Sequence, residues 1–184
     1  MLGKNHMITA TTILAGQSLL CYDMAYGFGV DHLMIYRAGN LALWYLTDTA
    51  DIGSPWLYYP LAVMFFLAGA VSPDIDTPSS MLGRKVHIGV KHRTWTHSIW
   101  FVLLFLIPGI FLFKPLVFLA YGAFLHILCD SFSAEGVHWL YPLKNKHHIC
   151  QFYNTGEISE VLFTVILEAI VIIPSIIAVI RLLS

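Results

Sequence analysis

The chain has 184 residues, a net charge of −1 with histidine neutral, and 11% charged against 58% hydrophobic residues. A water-soluble domain carries about 25% charged residues, so this composition excludes a fully water-facing surface, and the near-zero net charge excludes a general attraction for nucleic acid. The expected architecture is all-α: a polytopic membrane helical bundle of about five helices forming one integral domain over residues 1–184, in which nine histidines stand out.

A spanning helix needs about 20 mostly apolar residues. The first candidate, roughly His6–Cys21, mixes Ile8, Ile13, Leu14, Leu19 and Leu20 with Thr9, Thr11, Thr12, Gln17 and Ser18. Such a helix suits a bilayer only if its polar side faces other helices or a site. No small-residue cleavage site follows it, so the segment is expected to be retained. A mixed stretch comes next, with Asp23, Asp31, Arg37, Asp48 and Asp51 among aromatics, and Leu33–Leu46 reads as an interfacial helix. Trp56–Val71 is apolar and stops at Ser72-Pro73. Ser98–Phe132 is too long for one crossing and is broken by Lys114-Pro115. Proline removes a backbone donor and ends helices, which predicts two helices joined by a tight turn. The last helix runs from about Glu160 to Leu183, with Pro174 as a kink, Glu157 and Glu160 as caps, and Glu168 facing protein or water.

If every candidate crosses, Met1–His6, Asp74–His97 and Ser133–Ser159 share one side. That side holds Lys4, Arg84, Lys85, Lys91, Arg93, Lys144 and Lys146, against Arg37, Lys114 and Arg181 on the other. Lys and Arg favour the cytoplasmic side, so the N-terminus and the polar loops are expected to be cytoplasmic.

This topology gathers the ionisable residues. Asp74 and Asp76 lie in Ser-Pro-Asp-Ile-Asp-Thr-Pro, just past a membrane helix; His92 and His97 lie in His-Arg-Thr-Trp-Thr-His-Ser, at the start of the next. His126 and Asp130 are one turn apart, on one helical face, and His6 begins the first helix at the same level. Ionisable groups at membrane depth are costly and functional, so these seven residues, His6, Asp74, Asp76, His92, His97, His126 and Asp130, are the candidate metal ligands. A mixed His/Asp shell suits Zn, with Mn or Fe as alternatives. Seven ligands exceed the needs of one tetrahedral ion, so two or more ions fit, and paired ions about 3.5–4 Å apart suit phosphoester cleavage. Arg84, Lys85, Lys91 and Arg93 flank the ligands and read either as contacts to anionic lipid or as phosphate-capturing groups. Arg93 is the best placed for phosphate.

Other residues carry less. Cys21, Cys129 and Cys150 lack the spacing of a disulfide framework or thiolate site and read as packing residues. Glu135 and His138 read as solvated loop residues, with completion of a second metal site as the alternative; His147 and His148 read as a polar loop meeting lipid headgroups, His32 belongs to the other side, and His87 has no evident partner.

Pro73-Asp74-Ile75-Asp76, His92-Arg93-x-x-Thr96-His97-Ser98 and His126-x-x-x-Asp130, after an N-terminal His6, resemble the YdjM-type inner-membrane metal-dependent hydrolases from His6 to about Pro142. The sequence departs where that family commonly has glycine after His-Arg, since Thr94 stands there. The order of the motifs is also similar to zinc-dependent phospholipase C, which implies His6, Asp74, His97, His126 and Asp130 as zinc ligands, with His138 as a further one. The resemblance implies a bacterial inner (cytoplasmic) membrane, multi-pass protein. The expected activity is hydrolysis of a phosphoester in a membrane lipid or lipid-like substrate by a metal-activated water. Asp76 or His92 would serve as base or orienting group, and Arg93 would stabilise phosphoryl charge. The alternatives are a metal-binding or ion-transport protein using the same ligands without hydrolysis, and a structural membrane protein.

Overall fold

The computed structural model describes residues 5–16, 55–80, 82–86, 88–144 and 150–183. Among them are five α-helices and no strand beyond an isolated bridge between Ser133 and Tyr153. Helix α1 covers residues 5–16. It is followed by α2 (Pro55–Val71), α3 (Ile99–Phe111), α4 (Pro115–Ser131) and α5 (Ile158–Leu183). The expected interfacial helix Leu33–Leu46, residues 17–21 of the first segment, and His32, His87, His147 and His148 lie outside the described residues.

The boundaries follow the proline signals. Helix α2 stops at Val71 and tightens into a 3-10 turn over Ser72–Asp76, with Pro73 in its first turn. The apolar run Ser98–Phe132 divides as expected, with α4 starting at Pro115, where the missing N–H of proline leaves no helical bond unmade. Pro174 lies inside α5.

Only α5, through the 24 residues Ile158–Arg181, is long and apolar enough among the described residues for a full crossing, at about 36 Å against a hydrocarbon core of about 30 Å. Helices α2, α3 and α4 have 17, 13 and 17 residues, at or below the lower limit of about 17 for a crossing.

Helices α2 and α4 form the centre of the bundle. Their backbones approach closely because Gly69 and Gly122 face them: a Cβ on Gly122 would stand 2.2 Å from the Phe66 carbonyl oxygen, and one on Gly69 2.1 Å from that of Leu119. Small residues are what allows apolar helices to touch in lipid. Ala10 of α1, Ala62, Phe66 and Ala70 of α2, and Phe118 and Leu125 of α4 make one core cluster; Val102 of α3 packs with Ala120 and Ile127 on the opposite side of α4. Helix α5 runs parallel to α1. Asn5 donates to Glu160 at one end (2.6 Å), and Gly16 lies against Val171 and Ser175 at the other. The start of α1, the ends of α2 and α4 and the start of α5 therefore meet at one end of the bundle, together with the described residues of the stretches 74–97 and 133–153.

Candidate metal centre

Four chain segments deliver side chains to that end. The 3-10 turn after α2 carries Asp74, a second 3-10 turn (Trp95–His97) carries His97, the last turns of α4 carry His126 and Asp130, and the first turn of α1 carries His6. All five are buried at 9% exposure or less. His6 stacks on His126 with ring centroids 3.6 Å apart, and its Nε2 lies 3.3 Å from Asp130 Oδ1. His126 Nε2 is 3.4 Å from Asp74 Oδ1, and His97 Nε2 is 3.5 Å from Asp130 Oδ2 and 3.7 Å from Asp74 Oδ1. Donor atoms held about 2.0–2.2 Å from a tetrahedral ion stand about 3.3–3.6 Å from one another; the pairs here stand 3.3–3.9 Å apart.

The hydrogen bonds decide which lone pairs face inward. His126 donates its Nδ1–H to the Ala70 carbonyl (2.7 Å), one of the last acceptors of α2 without a helical partner, which leaves Nε2 as the lone-pair nitrogen. His97 has its Nδ1 toward Thr96 Oγ1 (3.0 Å) and Asp76 Oδ2 (3.6 Å), and its Nε2 toward the cluster. The Nε2 atoms of His6, His97 and His126 are buried without a hydrogen-bond partner. Such atoms are costly to leave unmet. Three orphaned imidazole nitrogens facing two carboxylates fit a divalent ion, and Asp74, His97, His126 and Asp130 can all offer it one atom, with those atoms within 4.8 Å of one another.

Beside this centre lies a second group, Asp76, His92 and His97, whose donor atoms also lie within 4.8 Å of one another. Its atoms are already engaged. Asp76 Oδ1 accepts from His92 Nδ1–H (2.7 Å) and the Thr77 hydroxyl (3.1 Å); Oδ2 accepts from the Arg93 N–H (3.3 Å) and the Thr96 hydroxyl. Thr77 Oγ1 also lies 2.8 Å from His92 Nδ1. The His92 side chain is 38% exposed and sits edge-on to His97, with centroids 4.9 Å apart.

The chain matches the YdjM inner membrane protein family over residues 31–183. It is also 32% identical over 163 residues to a Bacillus subtilis (strain 168) protein described as uncharacterized protein YvsG, covering 83% of this chain and 85% of the relative. This chain belongs to the YdjM inner membrane protein family. No solved structure matches it, so the likeness to zinc-dependent phospholipase C rests on motif order alone. The family match takes in every candidate ligand from Asp74 to Asp130 but starts after His6. It is the fold that brings His6 to the centre of this family member.

Electrostatics agree with a cation-binding centre. Burial works against the charged form of Asp74, yet His126 and His97 beside it hold its carboxyl well below the usual carboxylate range. Asp76 is held low in the same way, burial being outweighed by His92, His97 and Thr96. Burial likewise opposes a charge on His97, but Asp130, Asp74 and Asp76 raise it to about 10. Without an ion, the carboxylates hold a proton on His97; a cation would take its place.

Arg93 differs from the expectation. Its guanidinium is buried, with Nη1 donating to Ser133 Oγ (2.7 Å) and the Gly136 carbonyl (3.2 Å) and pairing with Glu135 (3.2 Å), while Nη2 pairs with Asp130 Oδ2 (3.4 Å). The residue takes a φ of 61°, a left-handed conformation that costs an L-residue about 1–2 kcal/mol and persists where surrounding bonds impose it. Thr94 donates its hydroxyl to the Lys91 carbonyl, an anchor that glycine at this position would lack. His138 also departs from the expected solvated loop. It is 6% exposed, and its Nδ1–H donates to the Arg93 carbonyl (3.1 Å). Cys129 packs in a core cluster as expected, whereas Cys150 is exposed. Glu160 does tie the start of α5, accepting from the Gly156 N–H (2.7 Å) and Asn5, and Glu157 accepts from Asn154 (2.9 Å). Thr77, Thr96 and the Ala70 carbonyl went unassigned in the sequence. Both threonines adjoin a candidate ligand, which is the one signal that marks them; a backbone carbonyl leaves none.

Proposed function

We propose that this protein is a membrane-bound, metal-dependent hydrolase that cleaves a phosphoester of a lipid or lipid-like substrate. The observation that supports it is the buried convergence of His6, Asp74, His97, His126 and Asp130 with three imidazole nitrogens left without partners. Asp74, His97, His126 and Asp130 would hold a divalent ion, with His6 adjoining them at Asp130, zinc first and manganese or iron next by the mixed His/Asp donor set. Such an ion supplies Lewis acidity and lowers the pKa of a nearby water to about 7.

The chain's own groups do the rest. With Nδ1 held by Asp76, His92 keeps Nε2 as the nitrogen that takes the proton from the attacking water and returns it to the leaving oxygen. Asp76 orients His92 and His97 rather than contacting the ion, because each of its oxygens already accepts two hydrogen bonds. Arg93 is a positioning residue: its Nη2 holds Asp130 at Oδ2, the oxygen that also faces His97, and its contacts leave phosphate capture to the exposed Arg84, Lys85 and Lys91. The exposed apolar face of α5 and the match to an inner membrane protein family support a bacterial inner-membrane location, and the basic loops argue for this end at the cytoplasmic headgroups.

The test is elemental mass spectrometry on detergent-purified protein, beside His126→Ala and Asp74→Asn, followed by a screen of phosphoester lipids. One or more equivalents of zinc, manganese or iron, lost in both variants while helix content holds, with metal-dependent release of phosphate or headgroup, is the expected result. Protein that takes up the ion but hydrolyses no phosphoester would leave a metal-binding or transport role. Protein that stays empty after metal addition would leave a structural one.

A further inference from the structure

We propose that the segment Arg84–Val86 and Ile88–Lys91 is a seating arm that binds the anionic surface of the bilayer leaflet at the mouth of the metal centre. This rests on the proposed position of this end of the bundle at a membrane surface, not on hydrolysis.

Every residue of the arm is exposed, and the exposed residues are of two kinds. Val86, Ile88 and Val90 are 55%, 39% and 37% exposed at alternate positions. Arg84, Lys85 and Lys91 bracket them, and no Asp or Glu occurs between Asp76 and Asp130. Lys85 and Lys91 have no ion pair among the described residues. Three apolar side chains turned outward between unpaired cations would be a poor water-facing loop. Against an anionic leaflet, the cations meet lipid phosphate while the aliphatic groups enter the headgroup boundary. Trp95, 49% exposed and edge-on to Tyr141 at 6.3 Å, adds the aromatic pair typical of that depth.

The arm is fixed to the centre at both ends. Its start is anchored through Gly83, whose N–H bonds Ser80 Oγ (2.8 Å), which in turn donates to the Asp74 carbonyl (2.7 Å). Ile88 N–H bonds the carbonyl of Ile75, between the two aspartates (3.4 Å), and Lys91 leads directly into His92. Seating the arm thus sets the height of the centre relative to the headgroups, and a substrate would reach it sideways from the leaflet. The occupant is the anionic leaflet itself because cations flank exposed apolar groups on one short segment; an acidic soluble partner would explain the charges alone.

The test uses Ile88→Cys carrying an environment-sensitive fluorophore, in the full chain with Cys21→Ala and Cys150→Ala and the buried Cys129 left in place. The protein is reconstituted in nanodiscs of phosphatidylcholine alone or mixed with phosphatidylglycerol, each with a trace of lipid bearing a headgroup nitroxide. The expected result is strong quenching and a blue shift in the anionic discs, weakened by Lys85→Gln/Lys91→Gln, which reduces the seating constant roughly 30-fold. A label that stays in water in both lipids overturns the proposal, as does quenching indifferent to lipid charge or to the two lysines. Metal content, measured on the same discs, reports on the hydrolase reading separately, since none of the substituted residues is a candidate ligand.

Discussion

Replacing Asp76 with asparagine keeps the side chain's size while removing its charge and one of its acceptors. The carboxylate now accepts four hydrogen bonds, and the donors differ in what they can tolerate. The two threonine hydroxyls can turn to accept instead. The Arg93 N–H cannot, so the amide oxygen of Asp76→Asn turns toward it and the amide NH2 faces His92. His92 Nδ1 must then accept, and its proton moves to Nε2, the nitrogen that has to be vacant to take one from water. His97, 3.6 Å away through Nδ1, loses its negative neighbour and becomes a weaker ligand. Loss of a group that orients a metal-binding histidine costs about 10–100-fold in metal affinity, about 1.4–2.7 kcal/mol. Loss of the correct tautomer at a general base costs about 10²–10⁴-fold in rate. The assay is a competition titration of ion-free protein against a chelating zinc indicator, with turnover measured at saturating metal. Asp76→Asn should bind the same number of ions more weakly and turn over far more slowly, whereas Asp74→Asn and His126→Ala should lose the ion outright. If Asp76→Asn loses the ion as completely as those two, Asp76 is a ligand and the orienting role is wrong; a halved stoichiometry would mean that it holds a second ion.

Removing the ion with a chelator should destabilise the protein by about 3 kcal/mol relative to metal at 100 times its Kd, seen as a fall of several degrees in the melting temperature in detergent and reversed by adding the metal back. His97, raised to about 10 in the ion-free protein, has a folded pKa above its ordinary 6.5. Its stabilisation of the ion-free state is therefore complete below about pH 6.5 and lost as pH rises through about 10. Over the same window metal affinity should climb and each bound ion should release a proton, which calorimetry in buffers of different ionisation enthalpy would detect; a pH-independent affinity would count against His97 as a ligand. Gly122→Ala puts a methyl 2.2 Å from the Phe66 carbonyl, forcing α2 from α4, and should cost about 1–3 kcal/mol in a thermal melt while weakening the ion through the separation of Asp74 from His126. Arg93→Lys keeps the charge but cannot span Asp130 and Ser133 together, so metal affinity should fall by about tenfold with the KM for substrate little changed.

Much of the fold was legible along the chain. Proline at Pro73 and Pro115 marks real helix boundaries because a missing N–H and a fixed φ act locally, whatever the tertiary context. The apolar content of Ile158–Arg181 likewise speaks for itself, since a crossing is a matter of length and polarity. The helix lengths were less legible. The run from Ser98 to Phe132 looked long enough for two crossings, but Ser98, Leu112, Phe113 and Lys114 fall in caps and turn, which leaves α3 at 13 residues.

The site divides in the same way. His and Asp at Asp74, His97, His126 and Asp130 announce a candidate metal centre by residue type and by the i, i+4 spacing of the last pair, both properties of the sequence. What Asp76, His92 and Arg93 do was not readable there, because a carboxylate is a ligand or an orienting group according to which donors already fill its oxygens, and a guanidinium binds substrate or protein according to what surrounds it. Those neighbours include Thr96 on Asp76, Thr77 on His92 and Ser133 on Arg93, each from a separate segment. Composition and short-range chemistry determined that this is a helical membrane protein with histidines and aspartates at its helix ends. Only tertiary structure decided which of their lone pairs are left over, because a hydrogen bond satisfied by a distant segment leaves no trace in the residue it satisfies.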